Sequence, residues 1–158
     1  MWPELSRTII VLIMFIGACA GSTGGGIKVS RIIILFKSMA KELSVMIHPK
    51  QVRKITVDSH AIDHETVRSV NVYMVCYIMV FVISMGVMSF DNYDLITNFT
   101  AVAATLNNVG PGLEMVGPIQ NFGFMSSPTK LILIFDMLAG RLELFPMLLL
   151  FAPATWKK

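Results

Sequence analysis

Apolar positions fall into four runs, set apart by polar or glycine-rich breaks. Residues 5–36 are apolar at both ends and interrupted by Gly17-Ala18-Cys19-Ala20-Gly21-Ser22-Thr23-Gly24-Gly25-Gly26. Residues 67–90 and 131–151 are uninterrupted, and a short run at 95–106 lies between them. At about 1.5 Å per residue the run at 67–90 reaches about 36 Å, enough to cross a hydrocarbon core of roughly 30 Å with some tilt. The run at 95–106 rises only about 18 Å and cannot cross. It must enter and turn back, and the turn is written Thr105-Leu106-Asn107-Asn108-Val109-Gly110-Pro111-Gly112.

That turn carries the chemistry. Gly110 and Gly112 permit backbone angles closed to other residues, and Pro111 fixes its own φ and removes a donor. Carbonyl oxygens can then line one side of an extended segment, as a cation filter requires, and the helix before it contributes the negative end of its dipole. In a soluble protein the same residues would read as a surface turn; the flanking spans decide otherwise.

The interrupted first run predicts a discontinuous membrane helix. Its first half descends to about Gly17, a small-residue loop crosses mid-bilayer, and a second half runs from Ile27 through Phe36 to a basic interface at Lys37 and Lys41. Unwound backbone is tolerated at membrane depth only where protein buries it or it lines a wet cavity, so this loop is expected to border a pathway. Three other readings fit less well. A lipoprotein signal ending at Cys19 leaves the apolar stretch at 32–36 unexplained. In a phosphate-binding loop from Gly21 to Gly26, Ile27 precedes Lys28 and Val29 stands where the Mg²⁺-binding hydroxyl belongs. A small-residue packing crossing accounts for one or two glycines, not for five beside Ser22 and Thr23.

Residues 38–65 are the sizeable polar stretch. His48-Pro49 stops the preceding helix. Val52, Ile55 and Val57 before Asp58-Ser59-His60, with Ala61-Ile62 after, predict a small β-hairpin, and Asp63 an N-cap with Glu65 in the first turn. His48, His60 and His64 lack a carboxylate or cysteine to complete a metal set. Asp94 is placed to cap the short helix, and Asp91, Asp94 and Glu114 to concentrate cations at the mouth. Asn98-Phe99-Thr100 matches a glycosylation sequon but falls inside that helix. Residues 117–128 form an outer connection with Phe122 and Phe124 at the interface, and Trp156-Lys157-Lys158 an inner anchor.

Composition confirms the class: 54% hydrophobic and 15% charged residues place the chain among polytopic membrane proteins. Most of the thirteen basic residues lie between Lys28 and Arg68. Such a block marks the cytoplasmic side and can meet anionic lipid; nucleic acid is not implied. Cys19 and Cys76 read as buried small hydrophobes, and the scattered methionines as packing. Arg141, mid-span, carries a cost of roughly 2.5 to 3.5 kcal/mol and needs a partner. Asp136 and Glu143 are off the same-face spacings, so Arg141 is expected to donate to the free carbonyls of the loop at 21–26 and hold it across the pore as a gate.

Gly21-Ser22-Thr23-Gly24-Gly25-Gly26-Ile27-Lys28-Val29, then Asn107-Asn108-Val109-Gly110-Pro111-Gly112-Leu113, then Gly140-Arg141-Leu142-Glu143, resemble in order and spacing the C-terminal part of the Trk/Ktr/HKT superfamily of potassium transporters, most closely its TrkH members. The likeness runs over essentially the whole chain. It implies an all-α membrane protein. Residues 1–37 would be a broken transmembrane helix with an intramembrane glycine-rich loop, ending a third pore repeat, and 38–66 a cytosolic loop. Residues 67–158 would be a complete fourth repeat of transmembrane helix, re-entrant pore helix with filter strand, and transmembrane helix.

By this resemblance Asn107, Asn108, Val109, Gly110 and Pro111 form the filter, with Gly110 its glycine and potassium at the carbonyls of Asn108, Val109 and Gly110. Gly21, Ser22, Thr23, Gly24, Gly25, Gly26 and Lys28 form the gating loop, and Arg141 faces it. Potassium is the transported ion; no covalently bound cofactor and no enzyme chemistry are expected. The implied partners are the remaining pore repeats, a second copy in a homodimer, a cytosolic nucleotide-binding regulatory subunit resembling TrkA, and membrane lipid. The implied location is the bacterial inner membrane, multi-pass. One repeat and a half implies a fragment or split gene, a partial pore unit. The alternative is a non-transporting membrane assembly subunit or an inactive truncated fragment. Cys19 and Gly24 stand where serine and alanine are more usual. Asp136 is an acid where a neutral residue is expected, its partner left open between Lys28, Arg141 and the pore.

Overall fold

The computed structural model describes residues 3–19, 21–22, 24–49, 51, 55–57, 60–151 and 156. Ala20 and Thr23 of the expected loop, Val52, Asp58 and Ser59 of the expected hairpin, and Lys157 and Lys158 of the tail lie outside the described residues.

The first apolar run folds as two helices. α1, Glu4–Met14, starts behind Pro3, whose φ suits a helix entry, with Glu4 at the positive end of the dipole. α2, Val29–Ile47, ends at His48, which stands at φ −128° and ψ 79° because Pro49 disfavours the helical region for it. Between the two helices Ile16 and Ile27 form an isolated parallel bridge, and the Gly17 N–H donates to the Ile27 carbonyl at 2.8 Å.

The polar connection contains the hairpin: β1, Thr56–Val57, pairs antiparallel with β2, His60–Ala61, in the register Thr56 to Ala61 and Val57 to His60. It adjoins a small cluster of Ile34, Ile55, Val67 and Val70, and Lys37 Nζ donates to the Thr56 carbonyl at 2.6 Å.

α3, His64–Met88, runs on through a 3-10 turn at Ser89–Asp91. Among the described residues this stretch is the one helix long and apolar enough to cross a bilayer. Asp63 stands at the N-cap but its side chain accepts no capping bond. The buried face, Val67, Val70, Tyr73, Tyr77, Val80, Ser84 and Met88, repeats every three or four residues and holds hydroxyls. Val75, Ile78, Met79, Val82 and Ile83 are more than half exposed. An aliphatic outer face around a partly polar inner one reverses the soluble pattern and suits lipid.

α4, Leu95–Leu106, has the predicted bounds, and Asp94 Oδ2 accepts the Ile96 N–H at 3.1 Å as its cap. It is buried from Thr97 onward except for half-buried Phe99, and the sequon's Asn98 is enclosed with it. The expected single last span is instead two helices, α5, Ser127–Leu142, and α6, Leu144–Phe151. Pro146 has no N–H for the Leu142 carbonyl, which ends the ladder there, and Glu143 takes φ +70° between the two helices. Phe145 then packs edge-on against Tyr73 of α3, ring centroids 5.7 Å apart.

α5 crosses the end of α4 at Gly140, where an added Cβ would stand 2.0 Å from the Leu106 carbonyl oxygen. Gly140→Ala should force the helices apart and destabilise the fold by about 1–3 kcal/mol, seen as a lower thermal midpoint for the detergent-purified protein.

Candidate functional site

α4 closes in a Schellman turn. Asn108 adopts φ +54°, a left-handed conformation that asparagine tolerates better than most side chains. Its N–H donates to the Thr105 carbonyl at 3.0 Å, and the Val109 N–H donates to the Ala104 carbonyl at 2.8 Å. Both asparagine side chains are fixed. Tyr77 Oη donates to Asn107 Oδ1 at 2.8 Å, Asn107 Nδ2 to the Ala103 carbonyl at 2.8 Å, and Asn108 Nδ2 to the Met137 carbonyl at 3.1 Å. Tyr77 was not among the residues singled out from the sequence; its signal there is a hydroxyl at helical spacing from those of Tyr73 and Ser84 in a mostly apolar span.

From Val109 the chain runs back along α4. The Leu113 N–H donates to Thr100 Oγ1 at 3.0 Å, and a Cβ on Gly112 would meet the same oxygen at 3.0 Å. Leu113 is again level with the start of α4, for it shares one cavity with Leu95, Ile96, Glu4 and Arg7. The segment therefore enters and leaves on one side. Gly110 has φ +110°, a region that side chains disfavour. Among the described residues, the carbonyls of 107–111 accept no hydrogen bond, and Val109, Gly110 and Pro111 are exposed. Bare carbonyls beside the negative end of a helix suit a dehydrated cation.

The loop between α1 and α2 lies against this turn. A Cβ on Gly25 would stand 2.7 Å from the Asn107 carbonyl oxygen and 2.8 Å from Asn108 Cβ, so only glycine fits the approach. Gly17, Gly25, Asn107, Asn108 and Val109 line one open cavity of about 370 Å³, walled by α1. Within the loop Ser22 Oγ accepts the Gly24 N–H at 3.2 Å, and Gly21 and Ser22 are exposed. Cys19, expected to be buried, is exposed as well, and Cys76 is half-buried.

The charges are arranged differently from the expectation. Arg141 is exposed, and among the described residues its guanidinium has no hydrogen-bond or ion-pair partner, so the expected bond to the loop is not found there. Gly140 faces α4, and Arg141 lies about 100° further round the helix, turned away from that contact. The cations below the loop meet Glu143 instead: Lys28 Nζ donates to its Oε1 and Arg31 Nη2 to its Oε2 at 3.1 Å. Arg31 also lies 4.0 Å over the Tyr73 ring. Asp136 pairs with neither Lys28 nor Arg141; it is fully buried and accepts from Ser84 Oγ of α3 at 2.8 Å. The outer acids each have a structural partner as well. Asp91 accepts the Ser126 N–H at 3.1 Å, Asp94 caps α4, and Glu114 pairs with Arg7.

The family model for TrkH, described as a cation transport protein, matches residues 1–158. The chain is 41% identical over 157 residues to the Trk system potassium uptake protein TrkH of Escherichia coli (strain K12), covering 99% of this chain and 32% of that protein. It is 33% identical over 156 residues to TrkG of the same organism, with the same coverage. Its fold matches the crystal structure of the potassium transporter TrkH from Vibrio parahaemolyticus with a TM-score of 0.87 and 41% identity, covering 99% of this chain and 33% of that one. The chain thus spans about a third of the length of these relatives. With its re-entrant helix, its unpaired carbonyls and the glycine loop packed beneath them, it belongs to the TrkH family of cation transport proteins.

Proposed function

We propose that this chain supplies the broken helix and final pore unit of a transporter that takes potassium up across the bacterial inner membrane, which it crosses several times. The observation that carries the reading is the extended segment 109–113, folded back along α4 with its neighbouring carbonyls at 107–111 unpaired. Asn107, Asn108, Val109, Gly110 and Pro111 replace part of the ion's hydration shell with backbone oxygen, potassium lying at the carbonyls of Asn108, Val109 and Gly110. The remaining oxygens come from further pore repeats outside this chain. The loop of Gly21, Ser22, Thr23, Gly24, Gly25, Gly26 and Lys28 gates the passage below, and the close approach of Gly25 to Asn107 supports that role. Arg141 serves the gate from the α5 side with a guanidinium that no described residue engages. The whole pore is a homodimer regulated by a TrkA-like nucleotide-binding subunit, with the basic inner face the place of contact. No bond of substrate or cofactor is made or broken.

The test is rubidium uptake in a host deficient in potassium uptake, using a pore in which this chain is joined to the remaining repeats of a relative. That pore should restore uptake, whereas this chain alone should not; failure of the joined pore at normal membrane levels favours a non-transporting assembly piece. Gly110→Ser places a side chain at φ +110°, and should lower the preference for rubidium over sodium about tenfold, equivalent to about 1.4 kcal/mol. Arg141→Ala should alter conductance or nucleotide-dependent opening; if single-channel records are unchanged in both, the gate role is wrong.

A further inference from the structure

The segment that returns from the pore turn ends in a tight loop. The Gly112 N–H donates to the Val116 carbonyl at 2.7 Å, and the Gly117 N–H to the Glu114 carbonyl at 3.1 Å. Glu114 stands at the outer corner with φ +52°, a left-handed conformation that a side chain of its kind holds only when its surroundings fix it. A loop closed by its own bonds moves as one piece. Whatever holds Glu114 therefore also holds Gly112 and, through the stiff Pro111, the carbonyls before it.

Toward α4 this loop is well packed. Thr100 takes the Leu113 N–H, and buried Val116 joins Met88 and Ala101 in the core. Toward α1 it is not. Two open cavities, of about 370 and 480 Å³, lie between α1 and the loop, and Glu4, Arg7 and Leu113 line both of them. The Arg7 guanidinium spans this gap: Nη2 donates to Glu114 Oε1, and Nη1 to Glu4 Oε1 at 2.8 Å, so the carboxylate one turn earlier on α1 aims it. Among the described residues this is the one hydrogen bond that joins α1 to residues 109–117.

We propose that Arg7 is a positioning residue for ion selection, whose hold on Glu114 ties the filter segment to the broken helix and keeps the carbonyls of Val109, Gly110 and Pro111 from closing on a smaller ion. The proposal rests on the pore reading above. Sodium is smaller than potassium and needs oxygens that draw closer, so a filter wall free to move inward serves it better than one held from the side. Arg7 touches neither ion nor carbonyl and acts through Glu114. The pair is partly open to solvent, with side chains 26% and 47% exposed, and adds little to the stability of the fold; its loss frees the segment without unfolding the chain.

The test uses the pore assembled from this chain and the remaining repeats of a relative, with two readouts: the preference for rubidium over sodium in uptake, and the rate of amide hydrogen exchange at residues 112–117. Arg7→Gln and Glu114→Gln should each lower the preference about threefold and speed that exchange, with membrane levels and thermal midpoint unchanged. The charge exchange Arg7→Glu with Glu114→Arg should bring both readouts back toward wild type. Glu4→Gln removes a carboxylate from the same mouth but leaves the tie, and should keep the preference. Unchanged preference in both single variants overturns the proposal. So do opposite shifts in rubidium capture, up in Arg7→Gln and down in Glu114→Gln at constant preference, because mouth charge alone then explains them. Absence of uptake in the unmutated pore counts against the pore reading instead, and the exchange rates then decide the tie: faster in both variants supports it, and unchanged rates overturn it.

Discussion

A backbone carbonyl without a donor is tolerated at membrane depth only against protein, water or an ion. Residues 107–111 present such carbonyls in succession, and the rest of the chain can be understood as what makes this permissible. The end of the helix and the two asparagine amides beside them have partners of their own. The Schellman turn satisfies the end of α4, Tyr77 and the Ala103 carbonyl satisfy the Asn107 amide, and Met137 anchors Asn108 to α5. The oxygens that remain unpaired do so in a scaffold held by three helices, not in a loop free to collapse onto its own donors.

Close packing is the second requirement, and small side chains at three levels provide it. Gly140 lets α5 touch the end of α4, Gly112 lets the returning strand lie on Thr100, and Gly25 lets the loop reach Asn107. In a bilayer, where burial of apolar surface gives helices little reason to associate, such approaches and the hydrogen bonds beside them supply much of the cohesion. Ser84 to Asp136 is one of those bonds, joining α3 to α5 across the interior.

Features set by local pattern were readable in advance. α4 is bounded by a capping aspartate and by paired asparagines with glycine and proline beyond, so its ends at Leu95 and Leu106 matched the expectation. The broken first helix followed from a run of small residues that no continuous membrane helix would use. What the pattern hid depends on contacts across the chain. Residues 131–151 scan as one span, and the sole local hint of a break is Pro146. The left-handed turn at Glu143 involves cations at positions 28 and 31, more than a hundred residues earlier. Likewise Asp136 looked like a charge in search of a cation, whereas its partner is a serine hydroxyl that any hydropathy profile counts as incidental.

The bridge between Ile16 and Ile27 gives the loop a closed neck. Backbone pairing at 15–18 with 27–29 joins the two half-helices where the loop departs and returns. Any displacement that spares this neck is confined to a flap of about ten residues, and the rods on either side need not travel. If the loop is the gate proposed above, the moving part is light and the bilayer around it has nothing to repack.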